Sequence, residues 1–200
     1  MDAEQLAVVR RLAAPEDAPL AAVRNRAEQV TTPPPPEVGA LLSLLAGARR
    51  VRHAVEVGTA GGVTAAWLLR GMDSRGVLTS IEGDTHIHGL ATAAFDEVGI
   101  GDRVRSILGN PGDVATRLSD GQYDLVILQA NATTDVRLIT QVERLLSPGG
   151  MLVARRVMAS ADGPSAILEA VAADPWAEAT VLPIDDGLLL ARLTDATDDV

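Results

Sequence analysis

The sequence predicts an α/β protein built on a doubly wound sheet of seven strands, mostly parallel and closed by an antiparallel C-terminal hairpin, with helices ahead of it. Three observations carry this. From His53 to Ala173, short apolar runs alternate with helical stretches, the pattern of strands joined by crossover helices. The run His53 to Val57 breaks at Gly58-Thr59-Ala60-Gly61-Gly62 and resumes as a helix. About one βαβ unit later a second strand ends in the carboxylate Glu82, which completes a Rossmann-like nucleoside-binding layout.

Each element follows from local chemistry. Apolar residues recur at helical spacing from Asp2 to Gln29, and Pro15 and Pro19 divide them into two short helices joined at Ala14 to Pro19. Thr31-Thr32-Pro33-Pro34-Pro35-Pro36 is a stiff extended connector, because each proline fixes its own φ and turns the preceding residue away from helix; a plain linker is the competing reading. Glu37 to Arg50 forms an amphipathic helix with Val38, Leu41, Leu42 and Leu45 on one face. Strands are expected at His53 to Val57, Val77 to Ile81, Val104 to Leu108, Tyr123 to Leu128 and Met151 to Ala154. Helices are expected near Gly62 to Met72, Thr85 to Val98, Gly112 to Leu118, Thr133 to Leu146 and Pro164 to Ala173. Glu178 to Ile184 and Leu188 to Leu193 flank Asp185-Asp186-Gly187, a hairpin signal that pairs them antiparallel. The chain reads as one domain over 1–200: N-terminal helices and connector over 1–36, a cofactor-binding core over 37–193, and a polar, acidic tail over 194–200.

Composition narrows the partners. Two hundred residues, 47% of them hydrophobic, supply one sizeable core. A formal charge of −10, with no basic cluster beyond pairs such as Arg49-Arg50, argues against nucleic acid and against an anionic membrane, leaving small molecules. The chain has no cysteine, which excludes disulfides and thiolate metal sites. An acidic start, Met1 to Gln5, and no apolar run near ~18 residues point to a cytoplasmic protein without signal peptide or membrane span. Aromatics are only 2% of the chain, so few rings are available to stack on a flat substrate.

The glycine turn lets backbone approach a ligand, and Glu82 at a strand's carboxyl end can accept hydrogen bonds from two ribose hydroxyls. A dinucleotide site wants Gly-x-Gly-x-x-Gly, yet counting from Gly58 the later glycine positions hold Ala60 and Val63. Nicotinamide and flavin are thereby disfavoured, as is a dehydrogenase, which also lacks its Tyr-x-x-x-Lys pair here. Adenosine with an uncharged or cationic tail is the better match. An ordinary strand-to-helix turn is the bland alternative.

The ordered set of motifs resembles the class I S-adenosylmethionine-dependent methyltransferases, and within them the O-methyltransferases related to the catechol and caffeoyl-CoA enzymes, especially their actinobacterial members. The resemblance spans Thr31 to Leu193. It rests on Thr31-Thr32-Pro33, the helix Val38 to Ala46, Glu56 to Thr64, Thr79 to Glu82, Tyr123 to Val126, Leu145 to Gly150 and Leu182 to Leu188. It implies S-adenosylmethionine as cofactor and S-adenosylhomocysteine as product. Gly58 and its neighbours Glu56, Thr59 and Ala60 would approach the methionine part, and Thr64 would bond its carboxylate from the first helical turn. Glu82, followed by Gly83, would take the ribose; Asn110, Pro111, Gly112 and Asp113 would border the adenine; Gln129 and Ala130 would line the pocket and Thr32 would close it. Relatives are often homodimers, so a homodimer is implied.

The departures concern chemistry. In the metal-dependent branch the fourth strand ends in Ile-Asp-Ala-Asp-Lys and the fifth in Asp-Asn, which hold a divalent ion. Here the matching runs are Leu128-Gln129-Ala130-Asn131-Ala132 and Ala154-Arg155-Arg156. Hard cations need anionic oxygen ligands, so no catalytic metal is expected, and Ala132 offers no base. Arg155, Arg156 and Asn131 become candidates for orienting the acceptor: alternation along a strand puts one arginine in the cleft, where it would hold a carboxylate or lower a phenol's pKa. Pairing with acids such as Asp124 or Asp162 is the competing reading. His86 and His88 border adenosine or solvent, His53 opens a core strand, Trp67 packs in the core and Trp176 lies beneath the last hairpin. The expected activity is metal-independent methyl transfer to a small-molecule hydroxyl. The alternative is a catalytically silent binder of S-adenosylmethionine or S-adenosylhomocysteine with a regulatory or structural role.

Overall fold

The structure, a computed structural model, describes residues 5, 7, 8, 12, 15–129, 136–160, 165–173 and 176–194, apart from the side chains of 136, 137 and 139. The first expected N-terminal helix and the tail lie largely outside these residues. Helix α1 (Ala18–Ala27) starts where Asp17 caps it, its Oδ1 accepting from the Leu20 N–H at 3.0 Å. Pro19 sits in the first turn, where its missing N–H costs nothing, so it opens this helix instead of interrupting it. Helix α2 (Pro36–Ala48) starts in the same way on the last proline of the connector.

Helix α3 (Val63–Gly71) packs against α2 at unusually close range. A Cβ added to Gly39 would meet the Trp67 ring at 2.4 Å, and one added to Gly71 would meet the Ser43 carbonyl oxygen at 1.8 Å. Trp67 is a core residue, as its position on the helix implied, and its indole Nε1 donates to Glu16 Oε1 at 3.0 Å. Glu16 also accepts from Arg24, whose Nη1 donates in turn to the Pro34 carbonyl, so the connector is tied to α1.

The sheet holds β1 (His53–Val57), β2 (Val77–Glu82), β3 (Val104–Leu108), β4 (Tyr123–Gln129), β5 (Leu146–Arg155), β6 (Ala177–Leu182) and β7 (Leu188–Leu193). Their order is β3-β2-β1-β4-β5-β7-β6, parallel from β3 through β5, with β7 antiparallel to both of its neighbours. Helices α4 (Thr85–Glu97), α5 (Pro111–Ala115), α6 (Val136–Leu145) and α7 (Ala166–Ala173) complete the crossovers. Two described boundaries depart from the sequence reading by three residues or more, the others by two at most. Strand β5 begins at Leu146 instead of Met151, because the register passes from Tyr123↔Leu146 to Leu125↔Met151 and Ser147-Pro148-Gly149-Gly150 bulges out between. Helix α5 stops at Ala115, three residues before the expected Leu118.

Both faces of the sheet are covered. Val55, Val57, Val126 and Leu128 pack with Leu138 and Val142 on one side; Ala54, Leu125, Ile127 and Val153 pack with Leu42 and Leu68 on the other. Two-sided burial is what a parallel sheet requires. Strand order reverses between β1 and β4, and in such sheets the crevice for a ligand lies beyond the carboxyl ends at that reversal.

Candidate functional site

The turn after β1 is built from backbone that few side chains tolerate. Gly58, Gly61 and Gly62 have φ of 82°, 64° and 93°, and Ala60 follows them into the left-handed region at 46°. Two of these glycines are also needed for packing. A Cβ on Gly61 would lie 2.7 Å from Ala27 Cβ of α1, and one on Gly62 would lie 2.8 Å from Ala94 Cβ of α4.

Glu82 ends β2 facing this turn, and its carboxylate is fixed by four donors. Oε2 accepts from the Thr59 N–H and the Thr59 hydroxyl, each at 3.0 Å; Oε1 accepts from the Gly83 N–H at 2.9 Å and the Asp84 N–H at 3.1 Å. Three donors are backbone. The fourth is a rotor that can release the oxygen to another hydroxyl. Asp84 then caps α4 by accepting from the His86 and Ile87 N–H groups, and those bonds hold its carboxyl below the ordinary value.

Glu56, behind the turn on β1, is fully buried. Its Oε1 accepts from the Ser80 hydroxyl at 2.7 Å, while Oε2 meets no partner among the described residues. Burial pushes this carboxyl up to about 8, against the opposing Ser80 bond and helped by the nearby Glu82 charge. At neutral pH Glu56 is therefore protonated and uncharged.

A cavity of about 290 Å³ opens at the sheet edge, lined by Val30, Thr31, Thr32, Gly58, Ala60, Glu82, Ile87 and Gln129. Of the residues expected at the site, Thr32, Gly58, Ala60, Glu82 and Gln129 form its wall, and Thr59 braces Glu82 from behind. Glu56 and Thr64 are wholly buried beneath it. Gly83, Pro111, Gly112 and Asp113 do not line it, although Pro111 lies next to Gly83. Ala130 and Asn131 lie outside the described residues. Sequence reading missed Val30, Thr31 and Ile87; Ile87 was within reach, since Asp84 announces a helix whose first turn follows Glu82.

Arg155 departs from the expected role. Its side chain is 0% exposed, and it does not stand in the cleft awaiting a ligand. Nε and Nη2 donate to Asp185 Oδ2 and Oδ1 at 2.6 and 2.9 Å, Nη1 donates to Gln129 Oε1 at 2.8 Å, and a longer contact of 3.4 Å reaches the Thr32 carbonyl. Its acid partner is Asp185, in the turn between β6 and β7, and not Asp124, which caps the start of β1 by accepting from the Arg52 and His53 N–H groups. Asp162 lies outside the described residues. Burial pulls the guanidinium below its ordinary value while Asp185 opposes that pull. Arg156, half-buried with φ of 59°, pairs with Asp186 at 3.0 Å.

The methyltransferase domain family matches residues 55–154, half of the chain and the part that contains the glycine turn, Glu82 and Gln129. A Mycobacterium sp. (strain JLS) protein named for O-methyltransferase activity is 40% identical over 190 residues, covering 88% of this chain and 86% of its own length. This chain belongs to the class I S-adenosylmethionine-dependent O-methyltransferases. Cofactor-bound Rv0187 from MTB is 26% identical with a TM-score of 0.83, covering 96% of this chain and 97% of that one. The O-methyltransferase from Bacillus cereus in complex with SAH shares the fold, with a TM-score of 0.81 at 22% identity, over 94% of this chain and 96% of its own.

In this O-methyltransferase the described residues include no group of three or more His, Cys, Asp or Glu side chains able to hold a metal ion. No described helix is long and apolar enough to cross a membrane. The sequence contains no lysine, so no lysine side chain serves as a base. His88 is occupied with Ser106, its Nε2 lying 2.9 Å from the hydroxyl.

Proposed function

We propose that the chain binds S-adenosylmethionine in the carboxyl-edge cavity and passes its methyl group to a hydroxyl of a small molecule without a bound metal ion. The observation that carries this reading is the Glu82 carboxylate, fixed at the mouth of β2 and opposite Gly58. The donor set fits an adenosyl group. Glu82 accepts from the ribose hydroxyls as the Thr59 hydroxyl turns aside, and Gly58 and Ala60 admit the chain of atoms beyond the ribose. Bound there, the cofactor supplies an electrophilic methyl group on a sulfonium. The chain's own residues position: Thr32 and Gln129 bound the space where an acceptor oxygen meets that methyl, and orientation of this kind supplies up to ~7 to 11 kcal/mol of acceleration.

Metal independence is supported by what stands at the ends of β4 and β5. Gln129 and Arg155 meet there, an amide and a guanidinium bonded to each other, and the Asp185 carboxylate beside them is committed to that guanidinium, so the pair offers a divalent cation no open anionic oxygen. An acceptor screen with labelled S-adenosylmethionine tests this: turnover unchanged by excess chelator is expected, and turnover abolished by chelator and restored by magnesium overturns metal independence. Cofactor binding with no turnover across phenols, catechols and acidic hydroxyls favours the silent binder. The assembly proposed with this reading is a homodimer, which light scattering of the full chain checks.

A further inference from the structure

We infer that a second cavity, on the outer face of the proline connector, binds the methyl acceptor, and that this acceptor is an aryl hydroxyl compound carrying an ammonium group, with Glu28 as its counter-ion. This rests on the methyl-transfer reading above. The cavity holds about 470 Å³. Its wall is Arg24 and Glu28 from the end of α1, then Thr31 and Thr32, then three prolines of the connector. Thr31 and Thr32 also wall the cofactor cavity, so the two spaces meet across one short stretch of chain. A ring in the outer cavity therefore lies beside Thr32, which bounds the space proposed for the acceptor oxygen.

Charge selects the chemistry. Arg24 is buried and committed: Nε donates to Glu16 Oε1 and Oε2 at 2.9 and 2.8 Å, and Nη1 donates to the Pro34 carbonyl. Arg155, the other guanidinium that reaches the connector, is held by Asp185 and Gln129. Neither is left for an anionic acceptor. Glu28 is the opposite case, exposed and with its carboxylate meeting no partner among the described residues. An open carboxylate beside neutralised arginines attracts an ammonium group and repels a carboxylate. The prolines supply the remaining contact. Their rings fix the backbone, so a flat molecule buries apolar area against them with little ordering of side chains.

The test is an NMR titration of the full chain at low ionic strength, with and without S-adenosylhomocysteine, using tyramine and 4-hydroxyphenylacetate, phenols of similar size and opposite charge. Tyramine is expected to bind at least about fivefold more tightly, and Glu28→Gln to reduce that preference to within about twofold. The net charge of −10 attracts a cation anywhere on the surface. Asp102→Asn makes the same charge change ahead of β3, at the opposite edge of the sheet, and is expected to keep the preference. No saturable tyramine binding, equal affinity for the two phenols, a preference that survives Glu28→Gln, or one lost as readily in Asp102→Asn overturns the inference. Wild-type chain that selects tyramine in this way but takes up no S-adenosylhomocysteine instead refutes the methyl-transfer reading.

Discussion

Glu56 has a titration that can be read in solution. In the unfolded chain its carboxyl ionises at its ordinary value of 4.5, whereas in the fold burial raises it to about 8. Between those values the folded chain keeps a proton that the unfolded chain has lost, so folding stability falls as pH rises, by about 1.4 kcal/mol per unit, and levels off above the folded value. Glu56→Gln, close in shape and never ionised, is expected to remove this slope. Thermal unfolding of both proteins from pH 5 to pH 9 checks it; parallel profiles would show that Glu56 ionises freely in the fold. Glu82 and Gly58 were legible in the sequence because strand, turn and carboxylate follow one another locally. The environment of Arg155 was not, since its partner Asp185 is separated from it by a helix and a strand, and only the pairing of β5 with β7 brings the two together.

Among the elements, the α2 and α3 pair is the most exacting contact. Gly39 carries no side chain because the Trp67 ring occupies that space, and a methyl group there must displace either the ring or the helix. Gly39→Ala is expected to destabilise the chain by about 1–3 kcal/mol, measured by denaturant unfolding. Because Trp67 also donates to Glu16, the displaced ring is expected to loosen α1, which packs on the glycine turn. Helix and strand positions were largely legible from periodicity, and the structure adds caps at Asp17, Asp84 and Asn110, each accepting a first-turn bond. The start of β5 was not legible. Leu146 pairs across the sheet before the Pro148-Gly149-Gly150 bulge, and turn residues of that kind read locally as a plain loop.

At the scale of the whole molecule, five parallel strands place their carboxyl ends along one edge, and the reversal between β1 and β4 opens the cavity there. The antiparallel β7 then returns the chain so that the turn before it reaches the same edge and delivers Asp185. The doubly wound parallel sheet was legible from the alternation of strands and helices, and the terminal hairpin from its turn residues, whereas the order of the strands was not, because handedness and alternation do not say where the chain crosses back to place β4 beside β1. The connector's part in the wall was legible through the resemblance, which put Thr32 at the pocket, but its anchoring was not, since nothing local shows that Arg24 and Arg155 bond its carbonyls. The most direct measurement is calorimetric titration of the full chain with S-adenosylhomocysteine, beside NAD and beside Glu82→Gln. Saturable binding of S-adenosylhomocysteine that weakens about 10-fold or more in Glu82→Gln, with no response to NAD, is the predicted result. Binding of NAD with no response to S-adenosylhomocysteine would contradict it, as would equal S-adenosylhomocysteine affinity in the two proteins.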